Sequence, residues 1–243
     1  MKNKKKILFI TGTRADYGKL KSLMKKIEGS FDFELFIFIG GMHLVKVFGS
    51  TYEEVLKEGY KNVYVAHGLR QSSCASINFG DTVSHIAGYV KNIMPDMIVV
   101  HGDRVEALAG AVVGALNNVA VAHIEGGEVS GTIDESIRHA VSKFANLHFV
   151  SNEEAKKRII QLGEKEEDIF VIGSPDIDVM LSDTLPSLDK VKKRYGIDFC
   201  EYGIVMYHPV TTENHETGDK IKIIVDSLIK SNKKYIIIYP NND

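Results

Sequence analysis

The chain has 243 residues, 44% hydrophobic and 26% charged, with a formal net charge of −2. This is the composition of a folded globular protein, long enough for one large domain or two small ones, and it excludes a general polyanion-binding surface while allowing a local anion pocket. Cys74 and Cys200 are too few and too distant for a disulfide framework or a zinc site, no apolar run approaches the ~18 residues of a membrane span, and the apolar core of MKNKKKILFITGT is too short for a signal peptide, so the expected compartment is the cytoplasm.

Short β-branched runs alternate with helical patterns along the chain. Residues 6–11 (KILFIT) read as a strand, followed by a loop and a helix around 20–28. A second strand follows at 33–39, a helix at 52–57 and a short strand at 62–65. Residues 82–93 read as a helix with Val83, Ile86, Val90 and Ile93 at helical spacing. Strand 96–100, Ala-rich helix 105–116, strand 119–124 and helix 133–145 come next. Strands 147–150 and 169–172 flank a helix at 153–162. Continuous apolar strands alternating with helices predict an α/β fold whose parallel sheet is covered on both faces. After Gly173-Ser174-Pro175 the character changes, which suggests one domain over residues 1–175 and the start of a second over 176–243. That second part offers strand 203–207, helix 220–230 and strand 235–239, too little to close a core, so the chain reads as cut short and the second domain as incomplete.

In an open parallel sheet, ligands bind beyond the carboxyl ends of the strands, and charged clusters fall there. After the first strand comes TGTRADYGKL, where Arg14 could meet a phosphate and Asp16 could simply serve a helix start. It is not GxGxxG, so a dinucleotide site is not supported. HGDR follows the strand at 96–100, and Asp103 is either an acid–base group or an N-cap. In HIEGGEVSGTIDESIRHA, Glu125 leaves a buried strand and Gly126-Gly127 permit close backbone approach. Thr132 and Glu135 have capping-box spacing, Ile133, Ile137, Val141 and Phe144 form the expected buried stripe, and Arg138 lies four residues from Asp134 on one face. Several carboxylates in one crevice would drive their pKa values apart and supply both an acid and a base. His208 in YHPVTTEN could donate to a phosphate, and YPNND at the end reads as a turn.

Together HGDR, HIEGGEVSGTIDESIRHA, TGTRADYGKL and IGSPDID closely resemble the hydrolysing UDP-N-acetylglucosamine 2-epimerases of bacterial sialic acid synthesis. The resemblance implies a GT-B-like architecture of two Rossmann-like domains. It implies elimination of UDP from UDP-N-acetylglucosamine to 2-acetamidoglucal, then hydration to N-acetylmannosamine. By motif match, Asp103, Glu125 and Asp134 are the acid–base carboxylates, with Asp103 or Asp134 removing the proton and Glu125 serving protonation or water addition. Arg14, Arg104 and His208 match positions that hold UDP, Asn241 and Asp243 the nucleotide side, and His43 a loop near the sugar, while Arg138 orients Asp134 or touches substrate. No metal, no NAD, no nucleic acid and no membrane partner are implied, and a homo-oligomer, dimer or tetramer, is expected of a full-length version. Three alternatives stand beside this reading: a diacetamido-trideoxyhexose as substrate on the legionaminic acid route, an inactive truncated remnant, and a GT-B glycosyltransferase, which would leave the three carboxylates without a reason.

Overall fold

The computed structural model describes residues 4–69, 74–183, 185–207 and 217–238. The chain divides into two compact units, Met1–Ser182 and Asp183–Asp243. In chain order the first opens with β1 (Lys5–Thr11), α1 (Arg14–Glu28), β2 (Phe33–Ile39), α2 (Tyr52–Lys57), β3 (Val63–Val65) and α3 (Ala75–Ile93). It continues with β4 (Met97–His101), α4 (Val105–Leu116), β5 (Ala120–Ile124) and α5 (Ile133–Phe144). It ends with β6 (Leu147–Val150), α6 (Glu153–Gln161), β7 (Ile169–Val171) and α7 (Asp176–Met180). The seven strands form one parallel sheet in the order β3-β2-β1-β4-β5-β6-β7. This is a doubly wound, Rossmann-like order, and it reverses direction between β1 and β4.

The unbroken apolar strands follow from burial on both faces. Along β1, Leu8 and Ile10 face one core with Ile86 and Val90 of α3, several alanines of α4 and Val141 of α5. Ile7 and Phe9 face the other, with Tyr17, Leu20 and Met24 of α1. Helix α4 lies close to the sheet because its contact face is Ala and Gly. A Cβ on Gly110 would run into Ile10 and Val100, and one on Gly114 into Val121.

Two helices begin earlier than their apolar spacing predicts. Helix α1 starts at Arg14 because Thr13 and Asp16 close a capping box, each side chain bonding the other's backbone. Helix α3 starts at Ala75, ahead of a first turn that buries nothing. Helix α5 does start at Ile133, but its box is not made: Glu135 accepts from the amides of Ser130 (2.7 Å) and Gly131 (2.8 Å) instead of Thr132. The expected stripe is also corrected. Val141 is fully buried, whereas Ile133 is 67% exposed, since α5 meets the sheet with its middle rather than its first turn.

Helix α7 belongs with the first unit, packing on α1, and the division therefore falls after Ser182, beyond the Pro175 punctuation. The second unit holds α8 (Leu188–Tyr195), β8 (Gly203–Met206), α9 (Thr217–Lys230) and β9 (Tyr235–Ile238). Its strands pair in parallel, with Ile204, Met206 and Ile237 open to solvent.

Candidate active site at the strand tips

The site is built where β1, β4 and β5 end, on both sides of the reversal in strand order, where a doubly wound sheet opens a crevice. The β4–β5 register sets His101 beside Ile124, so Asp103 and Glu125 leave neighbouring strands just past the last ladder bond, Gly102 N to Ile124 O at 2.9 Å.

Glu125 adopts φ +60°, left-handed backbone that costs a non-glycine residue about 1–2 kcal/mol. The turn aims its carboxylate into a nest of donors. Lys19 of α1 reaches Oε2 at 2.6 Å, His101 Nε2 lies 2.9 Å from the same oxygen, and the Ser174 hydroxyl donates to Oε1 at 2.7 Å. Burial pushes this carboxyl up, but the His101 and Lys19 contacts outweigh it and hold Glu125 well below the ordinary carboxylate range. It is an anion at any working pH. Lys19 also lies 3.4 Å from Asp176, so one ammonium ties α1, β5 and α7 together.

Asp103 is not an N-cap. That position is Arg104, and Asp103 instead forms an ion pair with Arg138 of α5. Arg138 is 9% exposed and also donates to the Glu128 carbonyl at 2.9 Å, clamping the Gly-rich loop against the β4 tip. The expected orientation of Asp134 by Arg138 is therefore replaced by orientation of Asp103. A helix-face pair offers a few tenths of a kcal/mol, while a largely buried guanidinium must find a full partner. Asp134 accepts from the Thr132 hydroxyl at 3.0 Å.

Beneath the tips lies His123, fully buried, with Nε2 2.8 Å from the Gly102 carbonyl and Nδ1 3.0 Å from the Ser142 hydroxyl. Burial drives its pKa down to about 3, so the ring is neutral and donates from Nε2 to the peptide that precedes Asp103.

Arg14 stands exposed at the first position of α1. The amides before it are already taken, since Gly12 N and Thr13 N both donate to Asp16 at 2.9 Å. An anion here would meet the guanidinium rather than a bare helix N-terminus. His43 is corrected from a sugar contact to a support. It is fully buried, with Nε2 3.0 Å from Thr11 Oγ1 and Nδ1 2.8 Å from Thr51 Oγ1, leaving neither nitrogen to a ligand. His208, Asn241 and Asp243 lie outside the described residues. The structure thus gathers Asp103, Glu125 and Arg138 with Lys19 and His101, which the motifs alone did not single out. Among the described residues no cluster of metal-binding type is present, and no helix is long and apolar enough to cross a membrane.

A doubly wound sheet with acids and cations at its point of reversal defines a Rossmann-like α/β unit of the GT-B-like kind. A family model described as UDP-N-acetylglucosamine 2-epimerase matches residues 25–243, and the chain belongs to that family. It is 50% identical over 239 residues to the UDP-N-acetylglucosamine 2-epimerase of Neisseria meningitidis serogroup B, covering 98% of this chain and 63% of that protein. It is 35% identical to the hydrolysing UDP-N,N'-diacetylbacillosamine 2-epimerase of Legionella pneumophila, covering 98% of this chain and 64% of that one. In fold it is similar to a Neisseria meningitidis UDP-GlcNAc 2-epimerase solved with UDP-GlcNAc bound, with a TM-score of 0.79 at 16% identity, covering 98% of this chain and 66% of that one. The chain spans less than two thirds of the length of the curated relatives it matches.

Proposed function

We propose that the chain carries the acid–base half of a hydrolysing UDP-N-acetylglucosamine 2-epimerase that works without metal or nicotinamide. The observation behind this reading is the pair of carboxylates at adjacent strand tips, each held by its own partners: Asp103 by Arg138, and Glu125 by Lys19 and His101. Asp103 takes the C2 proton of the sugar as the C1–oxygen bond to the diphosphate breaks, leaving 2-acetamidoglucal and UDP. Water then adds its hydroxyl to C1 and a proton to the opposite face of C2, giving N-acetylmannosamine. Glu125 stays ionised, so the proton it helps deliver travels through His101 or Lys19, the donors on its Oε2. Asp134 contributes from the loop side. Arg14 and Arg104 hold the diphosphate. The product would feed sialic acid or a related nine-carbon sugar, the compartment would be the cytoplasm, and the whole protein would be a homo-oligomer.

The higher identity to the N-acetylglucosamine enzyme than to the diacetylbacillosamine enzyme, 50% against 35%, favours the first substrate. The test is incubation with each UDP-sugar in deuterium oxide, followed by proton NMR. Release of UDP together with N-acetylmannosamine deuterated at C2 is expected. Turnover of the diacetamido sugar alone would overturn the substrate, and UDP-N-acetylmannosamine as product would overturn the hydrolysing mode.

A further inference from the structure

Glu106 occupies the first turn of α4, where a glutamate ordinarily faces water and complements the helix dipole. Here it is 5% exposed and points inward. Its carboxyl fills the space left by two glycines on two other loops. A Cβ on Gly12, after β1, would lie 2.6 Å from Glu106 Cδ and 2.7 Å from Oε2, and one on Gly41, after β2, would overlap Oε1. The same loops are stitched by Gly40 N to Thr11 O and His43 N to Gly12 O, both 3.0 Å. Oε2 accepts no hydrogen bond from the described residues, and Arg104 Nε lies 3.4 Å from it. Residues two apart do not share a helix face, but Arg104 is the N-cap, with extended backbone at φ −80° and ψ 160°, so its side chain folds back over Glu106 and on to Met42 Sδ at 3.2 Å.

We infer that Glu106 is a positioning residue that interlocks the loops after β1, β2 and β4 and aims Arg104 at the phosphates of the nucleotide sugar; the phosphate part rests on the function proposed above. An apolar side chain would fill the gap at lower desolvation cost, and a carboxylate earns its place by facing a guanidinium. Asp16 is another charged group near it, and it is already committed to the β1–α1 turn. Burial raises the Glu106 carboxyl and Arg104 draws it back, with the balance above its ordinary value.

Two readouts on the intact chain test this. In ligand-free protein, Glu106→Gln keeps the volume and removes the charge. The nitrogen-15 resonance of Arg104 Nε is expected to shift and its proton to exchange about tenfold faster, the scale of losing one largely buried ion-pair contact. Gly12→Ala, whose nearest contacts are all Glu106 side-chain atoms, is expected to move the same resonance, which keeps the test open if Glu106→Gln misfolds. An Arg104 signal unmoved by either substitution overturns the lock. By calorimetry with UDP, Glu106→Gln and Arg104→Ala are each expected to weaken binding about tenfold, the double variant no further than Arg104→Ala alone. Additive losses overturn action through Arg104. Wild-type protein that binds no UDP refutes the nucleotide reading of the site, and the Arg104 resonance then decides the lock by itself.

Discussion

At the amino end of the sheet, Lys5 reaches Asp96 across 2.7 Å; at the carboxyl end, Lys19 reaches Glu125 across 2.6 Å. The contacts are of the same type and length. Lys5 and Asp96 keep 67% and 37% of their side chains in water, Lys19 and Glu125 only 25% and 14%. The first pair sits where β1 and β4 begin, and there Asp96 also accepts the Lys6 amide at 2.9 Å. The second belongs to a dry network that has drawn in His101, Ser174 and a strained backbone. Length and charge are equal, so burial is what sets the two ends of the sheet apart.

The largest test of that difference is catalytic. Asp103→Asn or Glu125→Gln is expected to lower the rate of UDP release at least about 100-fold in a version that turns over, the usual scale for a general acid or base. Near-normal rates in both would remove the assigned roles. Next comes Arg138→Met, which leaves Asp103 charged and the Glu128 carbonyl without its donor. A fully buried pair would cost about 3–5 kcal/mol to break, and since the Asp103 side chain is 27% exposed we expect about 2 kcal/mol. Urea unfolding at unchanged slope measures it. A loss under about 0.5 kcal/mol would rank this pair with surface pairs like the one at the amino end.

Much of this contrast is legible in the sequence, and the gaps have physical reasons. Apolar runs bounded by Gly, Asp and His place the strand tips, and with them the positions of Asp103 and Glu125 on neighbouring strands. Lys19 escapes the pattern because the apolar period of α1 begins at Leu20, whereas the helix itself begins at Arg14 through a box made by Thr13 and Asp16. That box, read from the spacing, would have placed Lys19 on the helix. The sequence pairs Arg138 with Asp134 because i,i+4 spacing is visible in one dimension, while the β4 tip that supplies Asp103 is thirty-five residues away. His43 shows the same limit. A polar side chain turned inward looks, in sequence, like one turned toward a ligand.

His123 offers a smaller and pH-resolved test. An unfolded chain protonates this ring below about pH 6.5, while the native ring stays neutral down to about 3. The stability that its neutral burial contributes is therefore complete above pH 6.5 and is lost as pH falls toward 3, with a slope approaching about 1.4 kcal/mol per pH unit. His123→Gln is expected to be less stable at pH 8 yet flatter between pH 6 and 4.5. Equal slopes for both proteins would mean that the ring is charged in the fold and that the Gly102 carbonyl is held some other way.

The smallest effect belongs to the amino end. Lys5→Ala removes an exposed ammonium from a carboxylate that keeps the Lys6 amide, so about 0.5 kcal/mol or less should be lost. The rate of UDP release should not change. Because the pair is solvated, even that small loss should fade in 1 M salt, where the Debye length falls to about 3 Å. Lys19→Ala sharpens the contrast, since Glu125 would keep its charge in a site that water barely reaches. Its cost should exceed that of Lys5→Ala and persist in high salt. Equal costs, fading together as salt rises, would mean that the carboxyl-end network is as wet as the amino-end pair, and burial would no longer account for the difference between them.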